Sequence, residues 1–308
     1  MIIQTGMRTD IPAFYSKWFL NRLTEGYVLV RNPYNPNNVT RFLLNPEVVD
    51  LIAFCTKNPK PMLYKMSYLK DYGQYWFVTI TPYEKEIEPK VPPKEIVMES
   101  FKILSDIVGV NSVGWRYDPI YINQKYTVER HISDFERMAK TLSGYTKTCI
   151  ISFINIYKKV ERNFPENRAV SQSERFQIGK AFADIGKKYG ITIKACAEGT
   201  ELARFGIDCG GCMTIDTYEA ALNSRISIPK RKSQRAECAC FFGNDIGVYD
   251  SCGHMCRYCY ANSNWDSVRK NMSLHDPNSP FLIGHGSSRD IIHNAPQSSW
   301  IDQQLTLF

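Results

Sequence analysis

The sequence predicts an α/β fold in which parallel strands alternate with helices, arranged as a (β/α) barrel or partial barrel with a cysteine-rich C-terminal extension. Three observations support this prediction. Short apolar runs alternate with helix-favouring stretches through the first two hundred residues of the 308-residue chain. Polar and basic residues recur where these runs end, and seven of the ten cysteines lie between Cys209 and Cys259.

Seven short runs rich in β-branched and aromatic residues are predicted to be parallel strands buried on both faces. They are Ile2–Thr5, Tyr27–Arg31, Val49–Cys55, Tyr75–Thr81, Ser112–Tyr117, Cys149–Ile154 and Ile191–Cys196. Helices are predicted between them at Pro12–Glu25, Pro93–Val108, Val128–Leu142 and Ser171–Tyr189. No glycine-rich loop follows a strand, which disfavours a dinucleotide-binding sheet and favours the barrel.

The predicted strand ends carry many chemically active side chains. Asn-Pro and Asp-Pro pairs at several of them are also ordinary turn signals. In a parallel barrel, however, the carboxyl ends of the strands converge on the face where barrel active sites lie. We therefore predict a polar, largely basic substrate pocket at this face. Its candidate catalytic residues are Arg8, Asp10, Arg31, Lys57, Arg116, Asp118 and Glu198.

The domain organisation is predicted as a barrel-like body over residues 1–196 and an extension over residues 197–308. The extension is too rich in loops to form a large core alone, so we expect it to close one end of the barrel. The net charge of +7 permits a phosphate or nucleic-acid partner. No apolar run is long enough for a membrane span and no secretory pattern opens the chain, so the sequence predicts a cytoplasmic location.

The clearest motif is a CxxxCxxC loop formed by Cys252, Cys256 and Cys259, with Tyr258 immediately before the last cysteine. Structural zinc more often uses paired CxxC knuckles. Three soft thiolates on one tight loop suit three irons of a 4Fe–4S cluster, whose fourth iron takes a distant cysteine or a non-protein ligand. His254 lies inside the loop, where a contact to a ligand or to a cofactor is as consistent with the sequence as metal ligation.

The loop resembles the cluster loop of radical S-adenosylmethionine enzymes, in which the open iron binds that cofactor. The resemblance implies that Tyr258 and His254 lie beside the cofactor, that an electron donor is a partner, and that a radical abstracts hydrogen from the substrate. In those enzymes the loop follows the first barrel strand, whereas here it begins at residue 252. Because a barrel is cyclic, a late loop can still lie over the same face.

Segments spread over nearly the whole chain are similar to the bacterial domain of unknown function 1848 family. The resemblance implies a barrel-like body with a C-terminal iron–sulfur motif and supplies no settled activity. The segments that carry it are Arg8-Thr9-Asp10-Ile11-Pro12, Arg31-Asn32-Pro33, Lys57-Asn58-Pro59, Trp115-Arg116-Tyr117-Asp118-Pro119 and residues 245–262.

Five further cysteines are candidate metal ligands: Cys196, Cys209, Cys212, Cys238 and Cys240. In one interpretation, four of them, with or without Cys209, hold a second cluster or a zinc ion. In the other, Cys238 or Cys240 completes the first cluster, which would leave no open iron. The remaining two cysteines lie in apolar strands and are predicted to be buried hydrophobes.

The C-terminal residues Gln304, Leu305, Leu307 and Phe308 resemble the short peptide with which bacterial polymerases and repair proteins bind the replicative sliding clamp. A free tail of this kind inserts two apolar anchors into a hydrophobic pocket. The alternative is a tail that packs against its own body. A clamp partner would place the protein in DNA metabolism.

Two functional hypotheses follow from these patterns. The first is a radical S-adenosylmethionine-like enzyme that acts on a phosphate-containing or nucleic-acid substrate. The second is a non-radical 4Fe–4S protein whose one or two fully cysteine-ligated clusters stabilise the fold or transfer electrons. The sequence leaves the substrate and the oligomeric state open.

Overall fold

A computed structural model describes residues 1–228, 240–241 and 243–302 of the chain. Cys238 and the C-terminal residues 304–308 lie outside the described residues, so the predictions made for them are not addressed by the structure. The strands are β1 (Ile2–Gln4), β2 (Tyr27–Arg31), β3 (Asn38–Leu43), β4 (Leu51–Thr56), β5 (Gly73–Thr79), β6 (Val113–Ile120), β7 (Thr148–Phe153), β8 (Thr192–Ala195), β9 (Asn244–Asp245) and β10 (Ile291–Asn294).

The predicted α/β fold is confirmed as a seven-stranded, wholly parallel sheet. Its strand order is β8-β7-β6-β5-β4-β1-β9. From β4 to β8 each strand lies beside the next one along the chain, so the sheet is wound in a single direction. All carboxyl ends therefore lie at one edge, as the sequence predicted for six of these strands.

Helices connect the parallel strands, and their ends follow local sequence signals. Thr127 accepts a hydrogen bond from the Arg130 backbone at the start of one helix, and Ser171 and Glu174 form a reciprocal capping box at another. The helices are α1 (Ile11–Phe14), α2 (Ser16–Glu25), α3 (Lys60–Leu63), α4 (Lys94–Val108), α5 (Val128–Leu142), α6 (Lys158–Asn163), α7 (Gln172–Tyr189), α8 (Ile215–Leu222) and α9 (Trp265–Ser273), with short 3₁₀ turns at Met66–Leu69 and Glu201–Phe205.

One predicted strand of the parallel sheet belongs elsewhere. β2 pairs antiparallel with β3, and β10 pairs parallel with the other side of β3, which makes a separate three-stranded sheet. The prediction that Tyr27–Arg31 joins the main sheet was therefore wrong. Only six residues separate β2 from β3, and so short a connection allows a hairpin but no crossover to a parallel neighbour.

The C-terminal extension is built into both sheets. β9 lies at an edge of the parallel sheet beside β1, and β10 lies at an edge of the small sheet. The amino group of Met1 donates to the Ser298 carbonyl at 2.8 Å and pairs with the buried carboxylate of Asp50. That carboxylate also accepts a hydrogen bond from the Trp300 backbone at 2.7 Å. Beginning and end of the described chain are thus joined.

Large aromatic side chains fill the space between the sheet and its helices. Phe54 and Trp76, on adjacent strands, stack with ring centroids 3.8 Å apart. Phe135 stacks between Trp115 and Phe182, which joins β6 to two helices. Stacked pairs contribute about 0.5–1.5 kcal/mol beyond their burial and fix the sheet on which the site is built. Within the described residues, no helix has the length and apolar character needed to cross a membrane.

Candidate functional site

A cavity of about 1140 Å³ lies at the carboxyl ends of the parallel strands. Strands of the main sheet, the small sheet and the C-terminal extension all contribute to its wall. Among the predicted catalytic residues, six line it: Arg8, Asp10, Arg31, Lys57, Arg116 and Asp118. The seventh, Glu198, lies outside the wall. Three cysteines of the CxxxCxxC loop and three of the additional cysteines line the same cavity.

Arg8 and Arg31 are held by carboxylates that the sequence analysis did not identify. Nε of Arg8 lies 3.4 Å from the Asp245 carboxylate. Arg31 forms a bidentate ion pair with Asp290 at 2.6 and 2.9 Å. Its remaining terminal N–H groups donate to two backbone carbonyls. The terminal donors of Arg31 are thus engaged within the protein, where they connect β2 to the C-terminal extension.

Arg116 joins the strand ends to a second set of cysteines. Its guanidinium pairs with Asp118 two residues later, and Nη1 lies 3.7 Å from Sγ of Cys212. The hydroxyl of Ser152, on the adjacent strand, donates to the other carboxylate oxygen of Asp118. Burial opposes the charge on Arg116, yet Asp118 and the nearby thiols hold its pKa well above the usual value.

Lys57 binds a buried glutamate, Glu88, which the sequence analysis missed. Nζ of Lys57 lies 2.8 Å from its carboxylate, which also pairs with Lys94 and accepts hydrogen bonds from Thr81 at 2.7 Å and from the Tyr258 hydroxyl. Burial alone would raise the pKa of Glu88, but the two lysines lower it to about 2. The Ile87–Glu88 segment lies in a loop, where no hydrophobic pattern signals burial.

Asp10 connects the first strand end to the CxxxCxxC loop. Its Oδ1 accepts from the Ala13 backbone at 3.0 Å and caps α1, while Oδ2 accepts from the Lys57 backbone at 2.7 Å. Nε2 of His254 lies 2.8 Å from the same Oδ2. Nδ1 of His254 is buried and has no hydrogen-bond partner among the described residues.

The loop of Cys252, Cys256 and Cys259 turns sharply at Met255, whose φ of 59° is in the left-handed region. The three thiols are free. Burial raises the pKa of all three, that of Cys256 to about 12. Backbone N–H groups of Ala261 and the following residue act in the opposite direction on Cys259. A positive charge or metal at this place would be needed to hold the thiolates.

A second group of thiols converges more tightly. Sγ of Cys212 lies 3.3 Å from Sγ of Cys240 and 3.5 Å from Sγ of Cys196. Within the described part of the chain, these three residues are the only group of His, Cys, Asp or Glu side chains whose ligand atoms all lie within 4.8 Å. The structure therefore brings together three of the predicted metal ligands from three separate segments, in an arrangement that could hold a metal ion.

Cys209 and Glu198 have other partners. Sγ of Cys209 donates to the Ile207 carbonyl at 3.7 Å. The carboxylate of Glu198 accepts from the Phe153 backbone at 2.7 Å and lies 3.1 Å from Arg175. Burial raises the pKa of Glu198 to about 7. Cys55 and Cys149 are packed against or within the hydrophobic core, and burial raises the pKa of both.

Two lysines of α6 also line the cavity and were missed at the sequence level. Lys158 is exposed, and Nζ of Lys159 lies 5.4 Å from the centre of the Tyr249 ring. Neither forms an ion pair with a residue that the structure describes. The four basic residues predicted from strand ends all face carboxylates, so these two lysines carry the uncompensated positive charge of the cavity wall.

Comparison with known proteins adds a family but no activity. A model of the family described as "Domain of unknown function (DUF1848)" matches residues 2–261. No curated protein matches the chain significantly. Among solved structures, a putative alpha-L-fucosidase from Bacteroides thetaiotaomicron is similar at 12% identity and a TM-score of 0.28, over 54% of this chain. The chain spans about 62% of the length of that relative.

Proposed function

The chain belongs to the DUF1848 family, whose description states no activity, and we propose that it is an iron–sulfur enzyme of radical S-adenosylmethionine type. Cys252, Cys256 and Cys259 would hold a 4Fe–4S cluster. The substrate would be a phosphate-containing molecule bound in the adjoining cavity. One observation carries the proposal: the three thiols of the loop line the same cavity as the charged strand ends.

The spacing of the loop thiols supports a cluster over a single ion. A tetrahedral zinc ion with bonds of about 2.3 Å requires sulfur atoms about 3.8 Å apart. The three loop thiols do not all approach within 4.8 Å of one another, although charge repulsion from Cys259 raises the pKa of both Cys252 and Cys256. A cube that binds each cysteine at a different iron needs such wider spacing.

The surroundings of the loop suit a bound anionic group. Lys57 and Lys159 lower the pKa of Cys259 against the effect of burial, and N–H groups of the backbone point at the same thiol. Nδ1 of His254, buried without a partner in the described residues, is available to a bound cofactor. A reduced cluster with an open iron would supply the electron that cleaves S-adenosylmethionine, and a low-potential electron donor is the partner this requires.

The chain's own residues would position the loop and the substrate. Asp10 holds the loop through His254, and Glu88 holds it through Tyr258. Lys158 and Lys159, which lack internal counter-charges among the described residues, would bind the phosphate by charge-assisted hydrogen bonds. The ion pairs of Arg8 with Asp245 and of Arg116 with Asp118 would then form part of the cavity wall.

We further propose that the parallel sheet is the main part of a barrel. A parallel bridge joins Lys194 of β8 to Asp208, and the Phe241 backbone donates to the Met213 carbonyl at 2.7 Å. Phe241 lies just before β9, the other edge strand. These contacts support closure between the two edges, and a barrel would place the site at the face where barrel enzymes carry theirs.

Anaerobic purification followed by iron and sulfide analysis tests the proposal. We expect about four irons and four sulfides per chain, lost in Cys256→Ser and retained in Cys209→Ser, a matched control whose thiol donates to the Ile207 carbonyl. Adding S-adenosylmethionine should change the electron paramagnetic resonance spectrum of the reduced protein. A full cluster without that change would indicate the non-radical, fully cysteine-ligated alternative. Zinc without sulfide would overturn both.

The sliding-clamp partner remains a proposal from the sequence. A chain lacking residues 304–308 should lose clamp binding, and Leu307→Ala together with Phe308→Ala should reproduce the loss. Unchanged affinity in both variants would contradict it.

A further inference from the structure

Cys196, Cys212 and Cys240 have the geometry of a mononuclear metal site. Their sulfur–sulfur distances of 3.3 and 3.5 Å around Cys212 are close to the roughly 3.8 Å edge of a tetrahedral zinc–thiolate centre. All three ligand atoms lie within 4.8 Å of one another. A 4Fe–4S cube holds each cysteine on a separate iron and would not bring three thiols this close together.

We propose that these three cysteines bind one Zn²⁺ ion, separate from the iron–sulfur cluster, with the fourth coordination position facing the cavity. Thiolates are soft ligands that suit zinc. Among the described residues no fourth Cys, His, Asp or Glu ligand atom belongs to this group, and because Cys196, Cys212 and Cys240 all belong to the cavity wall, an oxygen ligand from the cavity would complete the tetrahedron. An open position is the feature that separates catalytic zinc sites from structural ones, which are closed by four protein ligands.

Neighbouring donors fit a negatively charged centre. Binding to three thiols releases three protons, so the zinc–thiolate group carries one net negative charge. The Arg116 guanidinium lies 3.7 Å from Sγ of Cys212 and supplies positive charge beside it. The backbone N–H groups of Cys212 and Met213 point at Sγ of Cys240 at 3.1 and 3.4 Å. Such outer contacts orient metal ligands.

The site would join parts of the chain that are distant in sequence. Cys196 follows β8, Cys212 precedes α8, and Cys240 precedes β9. These are the segments between the two edges of the parallel sheet. A metal ion bound by all three would fix those segments to one another and place a Lewis acid in the cavity that the cysteine loop also lines. The proposal stands without the iron–sulfur cluster, because it rests on a different set of thiols.

Metal analysis of the full chain purified anaerobically tests this inference. We expect about one zinc per chain in addition to any iron. Cys212→Ser should lose the zinc and keep iron and sulfide, Cys209→Ser should keep both metals, and Cys252→Ser with Cys256→Ser should lose iron and keep zinc. Loss of iron and sulfide from Cys212→Ser would overturn the proposal, since the trio would then belong to a cluster. If the iron–sulfur proposal fails, the Cys252→Ser and Cys256→Ser variant will show no loss of iron, while the zinc results for Cys212→Ser are unaffected.

A measurement on the unaltered protein covers the case in which the variants fail to fold. X-ray absorption at the zinc edge should show three sulfurs at about 2.3 Å and one lighter oxygen or nitrogen ligand. Four sulfur ligands would contradict the open position. Absence of zinc, with two of the three thiols recovered as a disulfide, would assign the trio to redox chemistry and overturn the metal site.

Discussion

Nε2 of His254 lies 2.8 Å from Oδ2 of Asp10, and this contact joins the cysteine loop near the C-terminal end to the end of the first strand. Both side chains are buried. The same carboxylate caps α1 and accepts from the Lys57 backbone. One side chain therefore helps to fix the relative positions of β1, β4 and the loop.

Asp10→Ala should destabilise the protein by about 2–4 kcal/mol. Loss of a helix cap costs about 1 kcal/mol, and the buried donors of Lys57 and His254 would lose their acceptor at about 1–3 kcal/mol. Chemical denaturation would measure the difference. The control is Asp266→Ala, which removes an exposed first-turn aspartate of α9. A loss of stability as large as that of Asp10→Ala would contradict the role of the buried Asp10 contacts.

Glu88→Gln should lower the free energy of unfolding by about 3–5 kcal/mol. Its carboxylate is 1% exposed and is the counter-charge of both Lys57 and Lys94, and removal of one partner leaves the others buried and unpaired. Glu84→Gln is the matched control, because its ion pairs with Lys125 and Arg130 are on the surface, where solvent screening leaves them a small effect on stability. Equal losses of stability in the two variants would contradict the greater contribution of the buried Glu88 ion pairs.

Stability should depend on the protonation of His131 in acid. Burial lowers its pKa to about 4, from about 6.5 in an unfolded chain. The unfolded state therefore binds more protons between these values, and the stabilisation present above pH 6.5 is lost as the pH falls towards 4, by about 3 kcal/mol. Denaturation of the wild type and His131→Asn across this range measures the difference in slope. Parallel pH profiles would show that His131 is not responsible.

Lys158→Gln with Lys159→Gln should weaken phosphate binding about tenfold or more. They are the lysines of the cavity wall without ion pairs among described residues, so their charges are available to a ligand. Calorimetric titration with inorganic pyrophosphate, a nucleoside triphosphate and a short single-stranded oligonucleotide would compare the probes. Lys147→Gln, in the loop before β7, is the control. Binding unchanged by the double substitution would remove these lysines from the site.

Arg116→Gln should weaken zinc binding about 10- to 100-fold, the usual effect of losing an outer contact to a metal ligand. Competition with a chromophoric chelator measures the affinity. Arg8→Gln, another strand-end arginine of the same cavity whose partner is Asp245, should leave it unchanged. If both substitutions had the same effect, the contact with Cys212 would not be the cause.

The sequence located elements with strong periodicity well. The helix predicted at 128–142 has those bounds in the structure, and the one predicted at 171–189 differs by one residue. Six of the predicted strands belong to the seven-stranded parallel sheet. The strands β3, β9 and β10 were missed, because they are short, polar or exposed and their pairing depends on distant partners.

The sequence could not predict how the charges pair. It indicated Arg8, Arg31, Lys57 and Arg116 as pocket residues, and the structure places each in the cavity wall. Arg116 pairs with its neighbour Asp118, but Asp245, Asp290 and Glu88, the partners of the other three, lie far away in sequence or in loops without a pattern. The net positive charge of the cavity therefore depends on Lys158 and Lys159, for which the sequence offered no distinguishing signal.

By itself the sequence determined the parallel α/β organisation, because buried strands need continuous apolar runs, and it identified the CxxxCxxC loop, because that spacing is local. Only the tertiary structure decided which cysteines meet. Cys196, Cys212 and Cys240 are distributed over 45 residues, and no local spacing connects them. They converge beside Arg116 because the segments that follow β8 and precede α8 and β9 pack against one another, a juxtaposition that arises from long-range packing.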